Sequence, residues 1–330
     1  DSVGGDPRTE TEATVLAVFR HVLDNDTLGV DDDYFVAGGT SLQLAQVTAA
    51  LQTRMGTRIP IAVIFSHPSP AGLAAAIDAG TDALAALAPV VELTDPARTP
   101  TAEPPLWTVH PASGLALAYR PLADTLAVPV VGLQLPGLLD SAAPMPATLA
   151  DLAAVHIEAL RRHQPHGPYR LAGWSVGGQL AHEMARQLAE SGDVIELLAL
   201  LDPRIGVDIG VDAFTAEGAG IDPEMAARLA AIDPVRYADY QRRAQMLVTA
   251  AAAHEPGVVD VRTAIYVAAR DNTDPYRWDP MVVGPMSHEV LTVDHADIGD
   301  PAAMTVVAGM LALLLPPVRD REATDHQENR

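Results

Sequence analysis

Hydrophobic positions recur at helical spacing through the first part of the chain. Residues 9–23 have this pattern, with acidic residues in the first turn, where they suit the positive end of the helix dipole. Residues 42–54 repeat it after a polar, aspartate-rich loop, and the segments 60–65 and 70–79 add a short apolar turn and a last helix. The pattern therefore predicts an all-α, four-helix domain over residues 1–79.

The pattern changes at Leu106, where short apolar segments begin to alternate with amphipathic ones. The predicted strands are Leu106–His110, Val128–Leu135, Tyr169–Gly173, Leu197–Leu201, Thr263–Ala268 and Glu289–Val293. The predicted helices are 114–126, 148–163, 176–191 and 301–315. Such alternation is typical of a mostly parallel sheet with helices on both faces. We therefore predict an α/β domain over residues 106–315.

Three segments depart from these two patterns. Residues 80–105 contain five prolines and no aromatic residue, which predicts a linker between the domains. Residues 206–256 add two helical patterns, 223–232 and 234–254, without an intervening strand. We interpret this insertion as a helical lid over the sheet. Residues 316–330 are charged and poor in apolar side chains, as disordered tails are.

The composition excludes several classes of function. The net charge of −22 argues against nucleic acid or an anionic membrane as the main partner. Because there is no cysteine, disulfides, thiolate metal sites and a cysteine nucleophile are all excluded. The segment 24–29 is similar to a calcium loop, but Leu28 stands where an oxygen ligand is needed. We therefore expect no metal site.

The termini and the apolar segments bear on where the protein acts. No stretch reaches membrane-spanning length without interruption, and the first residues contain no apolar signal core. A soluble, cytoplasmic protein is therefore expected. The chain begins with Asp1 rather than a methionine, which suggests a piece cut from a longer polypeptide.

Ser175 lies in the sequence Gly173-Trp174-Ser175-Val176-Gly177, between a predicted strand and a predicted helix. Small residues at both ends of this motif permit the strained strand-to-helix turn that exposes a nucleophilic serine in α/β-hydrolases. The alternative is a glycine-rich turn with an incidental serine. The flanking strand and helix favour the nucleophile.

A serine nucleophile needs a histidine base and an acid that orients the base, and in this fold they follow in the order Ser, Asp, His. Asp202 closes the apolar strand 197–201 and is the predicted acid, with Asp271, after the next strand, as the alternative. His295 follows the last predicted strand and is the predicted base.

Two other histidines are weaker candidates for the base. His288 begins the last predicted strand and should lie at the opposite edge of the sheet from the serine. His182 lies two helical turns beyond Ser175 and points away from a reacting hydroxyl, so we interpret it as a packing residue. Neither is expected to take part in the chemistry.

An oxyanion in such a site needs two backbone N–H donors. The amide of Val176 is one, because it follows the nucleophile directly. The second should come from the loop after the first strand of the domain, residues 110–114. Ala112 is the predicted donor, because its neighbours favour a tight turn.

Ser41 precedes the predicted helix 42–54 and follows Gly38-Gly39. A phosphodiester on this serine would sit at a helix N-terminus, where free amides and the helix dipole favour negative charge. A helix cap is the equally good alternative from local physics. The residues themselves leave both readings open.

Several motifs together resemble one known family. They are Asp33-Tyr34-Phe35 with Gly38-Gly39-Thr40-Ser41-Leu42, the segments Val109–Gly114 and Gln164–Tyr169, Gly173–Gly178, and Leu200-Leu201-Asp202. With them the chain resembles the peptidyl carrier and type I thioesterase domains of a nonribosomal peptide synthetase. Near the C-terminus, His295-Ala296-Asp297-Ile298 and Tyr266–Arg270 are similar to the enterobactin-synthase type of release domain.

The resemblance implies a function as well as a fold. It implies 4′-phosphopantetheine bound covalently to Ser41 by a phosphopantetheinyl transferase, and upstream condensation and adenylation domains that supply a peptidyl thioester. Ser175 would accept the peptide, and hydrolysis, macrocyclisation or oligomerisation would release a siderophore-type product. The rival hypotheses are a free-standing serine esterase with an N-terminal docking bundle and a catalytically silent interaction module.

Overall fold

A computed structural model describes residues 5–34, 36–39, 41–56, 59, 63–64, 67–78, 88–94, 103–137, 144–205, 234–270 and 274–315. The elements below are those found within these residues. None of the helices in this described part is long and apolar enough to cross a membrane.

Helices pack around a small apolar core in the N-terminal domain. Its helices are α1 (Glu10–Leu23), α2 (Ser41–Met55) and α3 (Pro70–Asp78). Helix α1 begins where Thr9 accepts a hydrogen bond from the backbone N–H of Glu12, as an N-cap residue does. Residues 63–64 are also helical, and the rest of the predicted turn at 60–65 lies outside the described residues.

Seven strands form one sheet in the second domain. They are β1 (Val90–Glu92), β2 (Leu106–Val109), β3 (Val130–Leu133), β4 (Tyr169–Trp174), β5 (Ile195–Leu201), β6 (Thr263–Ala268) and β7 (Met286–Leu291). Their order is β1-β3-β2-β4-β5-β6-β7, and every neighbouring pair is parallel except β1 with β3. The central strands β4 and β6 are buried throughout, as strands covered on both faces must be.

Helices cover both faces of this sheet. They are α4 (Arg120–Thr125), α5 (Leu149–His163), α6 (Val176–Glu190), α7 (Pro234–Ala252) and α8 (Pro301–Ala312). Apolar side chains of α5, α6 and α7 form one core, and those of α4 and α8 form another. The predicted fold class, an all-α carrier domain followed by a mostly parallel α/β-hydrolase domain, is confirmed.

The predicted linker at 80–105 is wrong in one part, because it contains β1. Val90 pairs with Leu133 and Glu92 with Val131, antiparallel to β3. Val91 and Leu93 are buried beside the core on the α4 side of the sheet, and this burial gives the segment its extended form. Pro89, the nearest described proline, lies just before the strand.

Two predicted elements of the second domain differ from the observed ones in position or in kind. Strand β7 runs from Met286 to Leu291 rather than from Glu289 to Val293, so His288 lies inside the strand. At the edge of the described sheet, only Leu291 of this strand is buried and Val290 is exposed, so its apolar pattern is weak. The predicted helix 114–126 is a 3-10 turn at Ala116–Tyr119 followed by α4.

The predicted lid at 206–256 is described only in its second half. Helix α7 fills that half, and its Leu247, Val248 and Ala251 are buried in the core that α5 and α6 also line. The first half, with the predicted helix 223–232, lies outside the described residues, as does the predicted tail at 316–330.

Candidate active site

Ser175 occupies the sharp turn between β4 and α6. Its backbone has φ 59° and ψ −124°, a conformation that L-residues rarely adopt. A Cβ atom at Gly173 would overlap the carbonyl of Gly177, and one at Gly177 would overlap the carbonyl of Val109. The two glycines therefore permit the turn for a steric reason, and Ser175 stands at its apex.

His295 bridges the serine and the aspartate. Its Nε2 atom lies 2.9 Å from the hydroxyl of Ser175, and its Nδ1 atom lies 2.6 Å from Oδ2 of Asp202. The three side chains therefore form one hydrogen-bonded series. With Nδ1–H donating to the carboxylate, Nε2 is unprotonated and can accept the proton of the hydroxyl.

Asp202 is held at the end of β5 by the neighbouring strand. It is fully buried and has a positive φ of 41°. Its N–H donates to the carbonyl of Tyr266, and its Oδ1 accepts from the N–H of Ala268 at 3.2 Å. A buried carboxylate needs such donors, and β6 supplies one. The alternative acid, Asp271, lies outside the described residues.

Arg204 adds a positive charge that the sequence reasoning missed. Its Nη2 atom lies 3.1 Å from Oδ2 of Asp202, and its Nε lies 3.2 Å from Nδ1 of His295. Because a guanidinium only donates, Nδ1 cannot accept from it while donating to Asp202. Arg204 therefore acts on the series as a charge that offsets the buried carboxylate. In the sequence, what could have pointed to Arg204 is its position two residues after the predicted acid Asp202.

The remaining histidine candidates lie outside this series. His288 has its Nε2 atom 2.8 Å from Oδ1 of Asp279. His182 is fully buried against the ring of Trp278, and its Nε2 lies 3.2 Å from the carbonyl of Met281. His182 therefore packs within the core as expected, although its Nδ1 has no partner among the described residues.

Tyr119 joins the two strand ends on which the candidate site is built. Its hydroxyl donates to the carbonyl of Val109 at 2.7 Å and accepts from the N–H of Trp174, also at 2.7 Å. Val109 ends β2 and Trp174 immediately precedes Ser175. No local motif marks Tyr119, because both of its partners are distant along the chain.

Replacing Tyr119 with phenylalanine is expected to lower the free energy of unfolding by about 2–4 kcal/mol, since one buried acceptor and one buried donor lose their partner. The serine turn loses a support at the same time, so acyl-release activity should fall as well. Chemical denaturation and steady-state kinetics measure both effects. Tyr276→Phe is the control, because Tyr276 is 61% exposed. Equal stability of the two variants would contradict the assigned role.

The loop after β2 packs against the start of α6. Gly177 faces the backbone carbonyls of Val109 and His110, so the loop that contains Ala112 and the helix turn that begins at Val176 are adjacent. Among the described residues, neither the Ala112 N–H nor the Val176 N–H has an acceptor. Backbone amides that have no acceptor among the described residues are the kind of donor that an oxyanion needs.

Burial lowers the pKa of several histidines in this domain. It lowers the pKa of His110 and of His182 to about 4, and that of His156 well below its usual value. The pKa of His254 is also lowered by burial. Because these imidazoles stay neutral in the folded chain, the unfolded chain binds protons that the folded chain does not bind.

We therefore expect the free energy of unfolding to fall as the pH drops below about 6.5, by up to about 1.4 kcal/mol per pH unit for each titrating histidine. Denaturant titrations between pH 7.5 and about pH 5 measure this slope above the range in which carboxylates titrate. His182→Leu removes one of these histidines, so the slope of the unfolding free energy against pH should be smaller by up to about 1.4 kcal/mol per pH unit. A stability that does not change over this range would contradict the lowered pKa values.

Ser41 stands at the first residue of α2, after a turn that its own loop stabilises. The N–H of Gly39 donates to the carbonyl of Tyr34 at 2.8 Å, and the N–H of Val36 donates to the carboxylate of Asp33 at 3.2 Å. Gly38 has a positive φ of 92°, which glycine adopts without strain. The hydrogen bonds of Val36 and Gly39 therefore stabilise the loop that precedes α2.

Family models match both domains. The model described as "Thioesterase domain" matches residues 104–312, and the model described as "Phosphopantetheine attachment site" matches residues 13–77. The chain belongs to the thioesterase family. It joins this enzyme domain to a carrier domain whose kind bears covalently attached 4′-phosphopantetheine, an arrangement like that of the nonribosomal peptide synthetases to which the chain is similar.

Similar proteins come from several synthetases. The chain is 37% identical over 201 residues to a dimodular nonribosomal peptide synthase of Bacillus subtilis, covering 60% of the chain and 8% of that protein. It is 29% identical to the probable non-canonical synthetase CymA of Salinispora arenicola over 99% of the chain and 5% of that protein. With enterobactin synthase component F of Escherichia coli it shares 32% identity over 60% of the chain and 15% of the relative.

Solved structures agree with this assignment. The thioesterase domain NocB, in covalent complex with a fluorophosphonate nocardicin G analog, is 28% identical and superposes with a TM-score of 0.55 over 69% of this chain and all of that one. A holo four-domain nonribosomal peptide synthetase superposes with a TM-score of 0.62 over 96% of this chain and 27% of that one, at 22% identity. The second match shows the fold of both domains.

Proposed function

We propose that this thioesterase–carrier chain releases a nonribosomal peptide from its carrier-bound thioester through Ser175. The observation that carries the proposal is the hydrogen-bonded series Ser175–His295–Asp202. The amides of Val176 and Ala112, which have no acceptor among the described residues, support it. In a chain that also contains a phosphopantetheine attachment domain, that geometry suits acyl transfer from a thioester.

Ser41 is the residue proposed to hold the 4′-phosphopantetheine. Its hydroxyl type suits a phosphodiester, and the start of the 15-residue helix α2 favours negative charge. When bound, this arm supplies the thiol that holds the peptide as a thioester. A phosphopantetheinyl transferase that installs it, and upstream condensation and adenylation domains that load it, are the proposed partners, in the cytoplasm.

In the first step the Ser175 oxygen attacks the thioester carbonyl carbon while His295 Nε2 takes the hydroxyl proton. The N–H groups of Val176 and Ala112 donate to the oxyanion, and Asp202 stabilises the imidazolium. When the carbon–sulfur bond breaks, His295 returns the proton to the leaving sulfur. The peptide is then an ester on Ser175.

In the second step His295 takes a proton from the nucleophile that attacks this ester. The bond between the acyl carbon and the Ser175 oxygen then breaks, and His295 returns the proton to that oxygen. Water gives hydrolysis, and a hydroxyl or amine of the peptide gives a macrocycle or, after transfers of several chains, an oligomer. We include a siderophore-type product in the proposal, supported by His295–Ile298 and by the 32% identity with enterobactin synthase component F. The 34% identity with an indigoidine synthase is as high, so identity by itself does not separate product classes.

Peptide mass mapping tests the proposal. Cleavage after arginine places Ser41 in the fragment 21–54 and Ser175 in the fragment 171–186, and each fragment contains one serine. After the chain is loaded with an acyl-pantetheine, the acyl mass should move from the first fragment to the second before product appears. Product formation without an acylated 171–186 fragment would contradict the proposed transfer.

The same experiment separates the rival functions. A free-standing esterase would hydrolyse small esters but gain no mass on 21–54 after incubation with coenzyme A and a phosphopantetheinyl transferase. A catalytically silent module would fail to react with a serine-directed phosphonate at 171–186. The described geometry of Ser175 and the attachment-site match at 13–77 favour the transfer over both.

A further inference from the structure

A pair of buried histidines lies beneath the loop that contains Ala112. His110 and His156 are both fully buried, and their Nε2 atoms lie 3.2 Å apart. Nδ1 of His110 lies 2.9 Å from the carbonyl oxygen of Pro111. The proposed chemistry uses neither ring. A histidine pair of this kind needs an account of where its protons lie, because two bare nitrogens at this distance would repel each other.

The partners of each nitrogen determine the tautomers. The Pro111 carbonyl only accepts, so Nδ1 of His110 must carry a proton. Burial lowers the pKa of His110 to about 4, so its ring is neutral near pH 7 and its Nε2 is a bare acceptor. Nε2 of His156 must then carry the proton that occupies the 3.2 Å contact. Nδ1 of His156 is left bare, and no described residue donates to it.

The Pro111 carbonyl is therefore held by two donors. Besides His110 Nδ1–H it accepts from the N–H of Gly114 at 2.9 Å. This carbonyl and the N–H of Ala112 belong to one planar, trans peptide unit, in which C=O and N–H point in opposite directions. Donors that fix the carbonyl on one side therefore fix the direction of the Ala112 N–H on the other.

We propose that His110, kept in its Nδ1–H tautomer by His156, is a positioning residue that aims the Ala112 N–H into the oxyanion hole. This inference rests on the proposed function, in which the Ala112 amide binds the oxyanion. His156 on helix α5 fixes the tautomer of His110, and His110 holds the Pro111 carbonyl. The carbonyl in turn fixes the direction of the Ala112 N–H at the reacting centre. A preformed donor is effective because it does not reorganise during the reaction.

The tautomers are tested directly by ¹⁵N NMR of the labelled chain near pH 7. We expect His110 to be protonated on Nδ1 and bare on Nε2, and His156 to have the reverse arrangement. A His110 that is protonated on Nε2, or that is charged at this pH, would overturn the proposal. This measurement needs no variant, so it tests the assigned tautomers even where a substitution impairs folding.

Kinetics of paired variants test the consequence. His110→Leu removes the donor to Pro111, and we expect kcat for acyl release to fall about 10–100-fold, less than the loss of a whole oxyanion donor, with KM changed by less than about threefold. His110→Asn keeps a side-chain N–H near the position of Nδ1 and should recover at least about tenfold of that loss. His156→Leu should lower kcat in the same direction, and His156→Gln, which retains a donor, should restore it.

Controls separate this inference from packing and from the proposed function. His182→Leu removes an equally buried histidine outside the site and should leave kcat unchanged. A folded His110→Leu with full kcat, in a series where Ser175→Ala abolishes release, would overturn the positioning role alone. Release that survives Ser175→Ala would instead overturn the proposed function. Failure of His110→Asn to exceed His110→Leu would also count against the positioning role.

Discussion

Replacing Ser175 with alanine is expected to slow acyl release by at least about 10⁴-fold, the largest kinetic effect that we predict for a single change. The serine oxygen forms the new bond to the acyl carbon, and its 2.9 Å contact with His295 is the path by which its proton leaves. Alanine has no oxygen to form that bond and no hydroxyl proton to give to His295. Initial rates of product formation from an acyl-pantetheine thioester on the carrier measure the effect.

Two further variants sharpen this expectation. Ser191→Ala removes the hydroxyl of a serine that caps the end of α6 and donates to the Gln187 carbonyl, so it should leave the rate unchanged. His295→Ala combined with Ser175→Ala should be no slower than Ser175→Ala by itself, because the two residues act as a unit. Additive losses, or release that persists in Ser175→Ala, would contradict the proposed nucleophile.

Replacing Ser41 with alanine is expected to abolish covalent modification of the carrier domain. A phosphopantetheinyl transferase with coenzyme A should add one phosphopantetheine mass to the wild-type chain, located in the fragment 21–54, and none to the variant. Because the thioester then has no attachment point, release in cis should also be lost. Intact-protein mass spectrometry followed by fragment mapping measures this result.

Ser69→Ala is the matched control for this prediction. The Ser69 hydroxyl accepts from the N–H of Gly72 at 3.1 Å at the start of α3, so it is a helix-capping serine of the same domain. Its removal should destabilise that domain by about 1 kcal/mol and leave the modification intact. If Ser41→Ala were modified as readily as Ser69→Ala, Ser41 would be a cap rather than the attachment site.

Local patterns predicted most of the architecture. The helical spacing before residue 79 and the strand–helix alternation after Leu106 are each set by neighbours a few positions apart, which periodicity captures. The exceptions are elements whose form depends on distant partners. Strand β1 is extended because it pairs with β3, and β7 is an edge strand in which only Leu291 is buried, which weakens its apolar pattern.

The same distinction separates what the sequence determined about the candidate site from what only the tertiary structure decided. Ser175, Asp202 and His295 could be named as candidates from the sequence because each follows a strand, and this fold places functional residues after its strands. Their assembly, with contacts of 2.9 and 2.6 Å, and the contacts of Tyr119, Arg204 and His110 were visible only in the structure. The contacts of Tyr119, the contact of Arg204 with His295 and the pairing of His110 with His156 join residues that are far apart along the chain, and no local pattern encodes such contacts.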